Sequence, residues 1–326
     1  MKILFCGEGY SESRRRLAPL LPDHEIAVCS PDRLPESLDG VDVVVPYGTP
    51  ITADVIARGI FGLVQQFGVG LETVDVEAAT RAGVWVARIP GKGTGNAESV
   101  AEHAVLLMLA LSRRLPRATE SLAQGRMGEP SGLALLGKTV CIFGLGDVGR
   151  ALSVRLAAFG MRLTAVRRRP EPDPTLPVPF ARVYGVADLA AAVAEADYIA
   201  ICARYEPEAH HLLDARVLSR VKRGAFLVNT ARGGFVDPEA LADALESGRL
   251  AGAGLDVFWQ EPPDVRHRLF RSNVIATPHI AGVTDVSYDG IARAFADNVR
   301  RFASGAAPLH AVNAPPHPRS RKEIAQ

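Results

Sequence analysis

The sequence predicts an α/β protein with two doubly wound parallel-sheet domains and a cleft between them. The chain has 326 residues, more than one average domain, so two compact units are expected. Short β-branched and aliphatic runs alternate with longer helical patterns along the whole chain, which is typical of parallel strands covered by helices on both faces. A glycine-rich turn directly follows one of these runs near the middle of the chain.

Strands are predicted in two series. The first hundred residues contain five candidates: Lys2–Phe5, Glu25–Val28, Val41–Val45, Leu63–Gln66 and Val84–Val86. The second series contains six: Thr139–Phe143, Arg162–Val166, Tyr198–Ala203, Ala225–Asn229, Gly252–Val257 and Val274–Thr277. A helix is expected to begin at Asp237, because an N-cap aspartate there is followed by Pro238 and Glu239, which suit the first turn.

The segments around the second series have distinct compositions. The Ala/Leu-rich stretch from Asn96 to Arg114 is apolar on nearly every side, which predicts a helix buried between domains or against a second subunit. The glycine-containing stretch from Arg117 to Lys138 is expected to form a loose arm, and the prolines from Pro170 to Pro179 a loop. The last dozen residues, from Pro315, are predicted to be a disordered tail.

Composition excludes several classes of function. The 37 basic and 36 acidic residues nearly balance, so a nucleic-acid partner is not expected. The apolar run from Ala104 to Leu111 is far shorter than the roughly 18 to 20 residues that span a bilayer, and the N-terminus lacks a signal-peptide core. The four cysteines have no metal-binding or redox spacing and are interpreted as reduced core residues. We expect a cytoplasmic protein with no membrane partner and no metal.

The glycine-rich turn predicts a dinucleotide site. Gly144, Gly146 and Gly149 follow an apolar strand and open a helix, with Asp147 and Val148 between the last two. The first glycine permits a tight turn, the second allows the backbone to approach a pyrophosphate, and the third allows close packing of helix on strand. The N–H groups at the helix N-terminus then face the phosphates.

The strand after this helix ends in arginine where NAD-selective sites place an acidic residue. Arg167, Arg168 and Arg169 are consecutive there, and guanidinium groups bind phosphate through paired hydrogen bonds. We therefore expect NADP(H) to be favoured over NAD(H). The alternative is a solvated basic loop before the prolines.

Three later segments supply an arginine, a carboxylate and a histidine, each after a predicted strand. Arg232 suits a carboxylate and the adjacent keto oxygen, because its planar fork binds two oxygens at once. His279 suits the proton transfer that accompanies hydride transfer. Glu261 beside the imidazole favours its protonated form. These roles predict hydride transfer at C2 of a small 2-keto or 2-hydroxy acid.

At these residues the chain resembles the D-isomer-specific 2-hydroxyacid dehydrogenase family. The resemblance runs from the first strand to about Asn313 and includes the ARG, EP and PH segments, the glycine loop and the SVAEH sequence from Ser99 to His103. It implies two Rossmann-like domains: a discontinuous substrate-binding domain (1–97 and 285–326) and a dinucleotide-binding domain (98–284) with a dimerisation helix and arm. It also implies a homodimer.

The resemblance implies further contacts. The backbone N–H groups of Val69 and Gly70 correspond to those that hold the substrate carboxylate, and Asn96 to a polar substrate contact, although it also suits a helix cap. Asp256 resembles the aspartate that receives the nicotinamide carboxamide, with Thr230 and Ala231 beside the same ring.

The chain departs from the family pattern in three places. Arg204 and Glu206 replace a proline and a threonine near adenine, and Arg204 is either part of a 2′-phosphate site or a surface replacement. Met127 stands where a tryptophan often enters the neighbouring subunit. No additional regulatory domain follows, so allosteric serine control is not expected.

The expected function is a glyoxylate/hydroxypyruvate-type reductase. Two alternatives remain open: a dehydrogenase of a small oxyanion such as formate or phosphite, and a cofactor-sensing, corepressor-like binding protein. His103, on the apolar helix, is interpreted as a core or interface residue.

Overall fold

The computed structural model describes residues 1–7, 9 and 11–319. The chain folds into two compact units: the first contains Met1–Asn96 and the described residues from Thr284 onward, and the second contains Ala97–Val283. Each unit has one parallel sheet with flanking helices, so the predicted α/β class is confirmed.

The strands of the described chain are β1 (Lys2–Cys6), β2 (Glu25–Cys29), β3 (Val43–Val45), β4 (Leu63–Gln65), β5 (Trp85–Ala87), β6 (Thr139–Phe143), β7 (Arg162–Val166), β8 (Arg182–Tyr184), β9 (Tyr198–Ile201), β10 (Ala225–Asn229), β11 (Leu250–Leu255) and β12 (Val274–Ala276). The α-helices are α1 (Ser11–Leu17), α2 (Ala53–Arg58), α3 (Val76–Arg81), α4 (Asn96–Ser112), α5 (Leu115–Ala123), α6 (Asp147–Ala158), α7 (Leu189–Ala194), α8 (Ala215–Leu218), α9 (Pro238–Glu246) and α10 (Asp285–Ala303). All eleven predicted strands are present, with ends that shift by a few residues at most.

The sheet of the first unit has the strand order β2-β1-β3-β4-β5. Side chains alternate between its faces, as the period of a strand requires. Ile3 and Phe5 of β1 pack with Phe295 of α10, whereas Leu4 packs on the opposite face with Ile56 of α2. Both faces are therefore buried, which explains why the strands read as continuous apolar runs.

The sheet of the second unit has the order β12-β11-β10-β9-β6-β7-β8, with parallel pairing between the named strands. The order reverses direction between β6 and β9, and ligands in open α/β sheets bind outside the carboxyl ends of the strands at such a switch point. Helices α4 and α6 pack on one face, and α7, α8 and α9 pack on the other.

One prediction about the second unit is corrected. The expected loose arm contains α5, which begins after Arg114 turns the chain with a φ of +52° and has Pro116 in its first turn. Proline is favoured at that helical position, a signal that the later glycines obscured. The helix predicted to be apolar on nearly every side ends at Ser112 and leaves Leu106 52% exposed. Strand β8 was missed because it closely follows the proline-rich loop and begins with the exposed Arg182, so no apolar run marks it in the sequence.

The predicted disordered tail is wrong for its first part. Arg319 donates to the backbone oxygens of Gly59 and Phe61 at 2.7 and 3.1 Å, and its own N–H donates to Gly83. These contacts hold Arg319 against other parts of the first unit. The remainder of that prediction, residues 320–326, lies outside the described residues.

The predicted start of α9 is confirmed, and it gives a test of stability. The Asp237 carboxylate accepts a hydrogen bond from the Ala240 N–H at 3.0 Å. Asp237→Ala is expected to lower the free energy of unfolding by about 1 kcal/mol, measured by urea denaturation, because one N–H at the helix end loses its acceptor. Asp237→Asn keeps an acceptor and is the control. An equal loss in both variants would mean that the charge of Asp237, 3.6 Å from His211, matters instead of the cap.

Candidate active site

The glycine turn joins β6 to α6 and has three different requirements. Gly144 has a φ of +98°, and a Cβ there would lie 2.5 Å from the Cα of Ala203. A Cβ on Gly149 would collide with the carbonyl oxygen of Gly144, so this glycine lets the helix approach the turn. A Cβ on Gly146 would have no other heavy atom within 4 Å. The first and third glycines therefore serve the fold, and the space above Gly146 fits the close approach of a dinucleotide pyrophosphate.

Helix α6 begins with a turn suited to an anion. Gly146 is its N-cap and has no side chain to accept hydrogen bonds from the first N–H groups. Asp147 and Gly146 are exposed, and Val148 is half-buried. The N-terminus of a helix of this length attracts negative charge through its dipole and its N–H groups.

The three consecutive arginines differ in exposure and in their partners. Arg167 is mostly buried, with its Nη1 2.9 Å from Asp173 Oδ2 and its Nη2 2.7 Å from the Glu171 carbonyl. Arg168 is exposed and forms an ion pair of 2.6 Å with Glu206. Arg169 and Arg204 are exposed. The charge of Arg167 is thus partly balanced by the chain itself.

Asp173 was missed by the sequence analysis. Its carboxylate accepts hydrogen bonds from the guanidinium groups of Arg167 at 2.9 Å and Arg150 at 2.7 Å, and from the hydroxyl of Thr175 at 2.6 Å. Hydrogen bonds from Thr175 and Arg167 hold the pKa of this carboxyl well below its ordinary value. Arg150 also donates to Leu145 of the glycine turn, so one carboxylate ties the turn to the end of β7. Only its position among the loop prolines, six residues after Arg167, offered a signal.

Arg232, Glu261 and His279 come from loops that follow β10, β11 and β12. These strands are parallel neighbours, so their carboxyl ends share one edge of the sheet. His279 Nδ1 lies 2.7 Å from Glu261 Oε2, and Glu261 Oε1 accepts from the Phe258 N–H at 3.1 Å. The structure therefore pairs the predicted imidazole and carboxylate directly.

The Arg232 loop is fixed by contacts to β10 and to the Glu261 loop. The Asn229 side chain accepts from the Ala231 N–H and donates to the Arg232 carbonyl, at 3.0 and 2.8 Å. A Cβ on Gly233 would collide with the backbone of Phe258, so only glycine permits this packing of the two loops. Thr230 has a buried hydroxyl without a hydrogen-bond partner in the described chain. That orphaned hydroxyl fits a polar ligand group at this edge.

The electrostatics of Glu261 reflect two opposing effects. Burial raises the pKa of the Glu261 carboxyl, but the hydrogen bond and the charge of His279 lower it, helped by the Phe258 N–H and the charge of Arg232. The net pKa lies below the ordinary glutamate value. Glu261 is therefore an ionised acceptor at neutral pH.

Asp256, at the end of β11, is fully buried and serves the loop that carries His279. One of its oxygens, Oδ1, accepts from Thr277 Oγ1 at 2.6 Å and from the Ile280 N–H at 2.8 Å, while Oδ2 accepts from the Ala281 N–H at 2.9 Å. His103 Nε2 lies 2.9 Å from Thr277 Oγ1. Sequence reasoning missed Thr277 and gave His103 only a packing role, because nothing in their spacing along the chain joins them.

The other predicted substrate contacts lie in the first unit. Val69 and Gly70 are half-buried in a turn after β4, where Gln66 Nε2 donates to the Gly70 carbonyl at 2.6 Å. Asn96 is the first residue of α4, and its Oδ1 accepts from the Ser287 hydroxyl at 3.1 Å.

Other chemistries have little support in the described residues. No group of three His, Cys, Asp or Glu side chains there is arranged to hold a metal ion. Cys6, Cys29 and Cys141 are buried, and burial raises the pKa of Cys141 to about 12, so this thiol is protonated at neutral pH. No described helix is long and apolar enough to cross a membrane.

Comparison with known proteins identifies a matching family model and similar proteins. Residues 105–281 match the family model described as D-isomer specific 2-hydroxyacid dehydrogenase, NAD binding domain. A hydroxypyruvate reductase of Thermotoga maritima is 39% identical over 261 residues, which cover 78% of this chain and 82% of the relative.

The chain belongs to the D-isomer specific 2-hydroxyacid dehydrogenase family. The predicted family and oxidoreductase class are therefore confirmed. A D-3-phosphoglycerate dehydrogenase of Methanocaldococcus jannaschii is 34% identical over 89% of this chain, which spans 55% of that relative's length. Among solved structures, an NADPH-dependent glyoxylate/hydroxypyruvate reductase from Sinorhizobium meliloti, in complex with NADP and malonate, has a TM-score of 0.81 and 29% identity, covering 97% of this chain and 98% of the other.

The Glu261–His279 pair of this family member gives a pH test. The carboxyl of Glu261 is expected to titrate below the ordinary glutamate value in ¹³C NMR of carboxyl-labelled protein. In His279→Ala the pKa of Glu261 is expected to rise, because burial remains while the largest lowering contribution is lost. Asp214→Asn, which removes the charge of the N-cap of α8, is the control that should leave the Glu261 resonance in place. A Glu261 titration unchanged in His279→Ala would contradict the pairing.

Proposed function

We propose that this chain is a nicotinamide-dependent reductase that delivers hydride to C2 of a small 2-keto acid, of the glyoxylate/hydroxypyruvate type, and forms the D-2-hydroxy acid. The observation that carries the proposal is the 2.7 Å contact between His279 Nδ1 and Glu261 Oε2, beside the loop of Arg232. The similarity to a hydroxypyruvate reductase and to a glyoxylate/hydroxypyruvate reductase supports this substrate class.

His279 is the proposed proton donor. An ionised carboxylate accepts hydrogen bonds and donates none, so Glu261 fixes the proton of the imidazole at Nδ1. The second nitrogen, Nε2, then gives its proton to the keto oxygen as C2 is reduced, and takes a proton back in the reverse direction. Glu261 stabilises the charged imidazolium that precedes this transfer.

Arg232 is the proposed substrate anchor. Its guanidinium offers donors in a plane, which match one carboxylate oxygen and the adjacent keto oxygen of a 2-keto acid. Binding both oxygens fixes the orientation of C2 and withdraws electron density from the carbonyl. The assignment of Val69, Gly70 and Asn96 to substrate binding stays a prediction of the family resemblance.

The cofactor is proposed to lie along the carboxyl edge of the second sheet. When bound, a reduced nicotinamide supplies the hydride. The turn above Gly146 and the N-terminus of α6 would hold its pyrophosphate, and the orphaned Thr230 hydroxyl lies in the segment proposed to border the nicotinamide ring. The proposed contacts are Gly144, Gly146, Asp147, Val148 and Gly149 for the phosphates, and Thr230, Ala231 and Asp256 for the ring.

We propose that NADP(H) is preferred over NAD(H). Arg168, Arg169 and Arg204 are exposed near the end of β7 and β9, and they supply positive charge that suits a 2′-phosphate. Arg167 is held by Asp173, so its contribution is to the positive field more than to direct phosphate contact. The similar reductase from Sinorhizobium meliloti is NADPH-dependent, which supports this preference.

We also propose a homodimer formed by the second unit. Large apolar side chains of α5 and the following arm face solvent, with exposed fractions of 66% for Leu122, 81% for Met127 and 74% for Leu136. Large apolar side chains exposed on one unit are the groups that a partner surface would cover. The cytoplasmic location stays a prediction from the sequence.

Replacing His279 or Arg232 tests the reaction. His279→Ala is expected to lower kcat for glyoxylate or hydroxypyruvate by about 10²- to 10⁴-fold, while fluorescence titration shows unchanged NADPH binding. Arg232→Lys keeps the charge but loses the planar fork, so its main effect should be a raised KM for the keto acid. Near-wild-type kcat in His279→Ala would rule out this assignment.

Replacing the exposed arginines tests the cofactor preference. Arg168→Ala with Arg169→Ala is expected to lower kcat/KM for NADPH about tenfold or more relative to NADH, because two charged donors to the 2′-phosphate are lost. Arg220→Ala, an exposed arginine after α8, should leave the ratio unchanged. A wild-type protein that prefers NADH would contradict the proposal.

A further inference from the structure

The loop from Thr277 to Ala281 holds the proposed proton donor in a backbone conformation that needs support. His279 has a φ of +55°, in the left-handed region that residues other than glycine rarely adopt. The side chain of His279 is 42% exposed, so packing contributes little to holding it. The support must come from hydrogen bonds to the loop backbone.

Asp256 supplies those hydrogen bonds. Its carboxylate accepts from the N–H groups of Ile280 and Ala281, and its backbone oxygen accepts from the N–H of His279 at 2.9 Å. Three consecutive N–H groups of the loop therefore end on one residue. A small rotation of the Asp256 side chain would release two of them.

The orientation of the Asp256 carboxylate depends on Thr277 and His103. A hydroxyl has one proton, and the 2.6 Å contact from Thr277 Oγ1 to Asp256 Oδ1 uses it, because a carboxylate only accepts. The Thr277 oxygen is then the acceptor of the contact to His103, so Nε2 of His103 carries the proton. The donors run in one direction, from His103 on α4 through Thr277 to Asp256.

We propose that His103 and Thr277 are positioning residues that hold His279 in place through Asp256. This inference rests on the proposed function for its effect on turnover, but the hydrogen-bond chain itself does not. His103 is nearly buried, with 11% of its side chain exposed, and its Nε2 is also 3.6 Å from Asp256 Oδ1. Its donor is thus hydrogen-bonded to Thr277 Oγ1 and lies close to the carboxylate of Asp256.

If this arrangement positions His279, removing it should change kcat and the KM for the keto acid differently. Losing the Thr277 hydroxyl frees the carboxylate to rotate and loosens the loop at Ile280 and Ala281. A displacement of the proton donor by about 1 Å costs up to about 100-fold in rate, whereas binding of the keto acid by Arg232 does not involve this loop. We therefore expect kcat to fall while the KM for the keto acid changes little.

A pair of variants at position 277 tests this division. Thr277→Val keeps the shape of the side chain without its hydroxyl, and Thr277→Ser keeps the hydroxyl. In Thr277→Val, kcat for hydroxypyruvate is expected to fall about tenfold or more, with KM within about twofold of wild type. Thr277→Ser is expected to retain most of the wild-type kcat.

A second pair of variants, at position 103, keeps the test decisive if Thr277→Val does not fold. His103→Gln keeps an N–H donor near the place of Nε2, and His103→Leu removes it. We expect kcat to fall in His103→Leu and to be largely retained in His103→Gln. Equal losses in the two would show a packing role for the imidazole and would overturn the inference for His103.

Hydrogen exchange gives a readout that needs no turnover. The amides of Ile280 and Ala281 are expected to exchange faster in Thr277→Val than in wild type or Thr277→Ser, measured on peptides that cover the loop. Wild-type protection together with wild-type kcat in Thr277→Val would overturn the inference. Faster exchange in Thr277→Val, in a protein whose wild type reduces no keto acid, would support the positioning chain and refute the proposed function.

Discussion

The parallel pairing of β10, β11 and β12 is the constraint on which the candidate site depends. In a parallel sheet each strand ends at the same edge, and these three strands are neighbours in the second unit. Segments that lie 18 to 47 residues apart along the chain are thereby brought to one place, as the positions of Arg232, Glu261 and His279 show. The other contacts in the site fix the conformations of the loops that follow these strands.

Buried or half-buried carboxylates supply most of these contacts. Asp256 binds the backbone of the loop after β12, and Asp173 binds Arg150 and Arg167 at the other side of the switch point. A carboxylate accepts several hydrogen bonds at once, so one residue can fix a whole turn. A carboxylate that is shielded from water is stable only when its oxygens accept hydrogen bonds. The same requirement explains why both are surrounded by donors of the chain itself.

The sequence was most informative where the signal is local. The glycine turn, the N-cap at Asp237 and eleven of the twelve strands of the described chain depend on neighbours in the chain, and all were predicted with small errors at the ends. Helix α5 was missed because the glycines that follow it dominated the interpretation, although Pro116 marks its first turn. Strand β8 has the sequence Arg-Val-Tyr close after the proline-rich loop, so no apolar run marks it.

By itself, then, the sequence determined the α/β class and the family, and it predicted which side chains bear the chemistry, because residue types and their order along parallel strands are enough for these inferences. Only the tertiary structure decided the partners of those side chains. That His103 reaches Asp256 through Thr277 depends on a contact between residues 174 positions apart, and that Asp173 is shared between Arg167 and Arg150 depends on how the loop folds back onto α6. Such contacts leave no spacing in the chain, since they are set by how strands and helices pack in space.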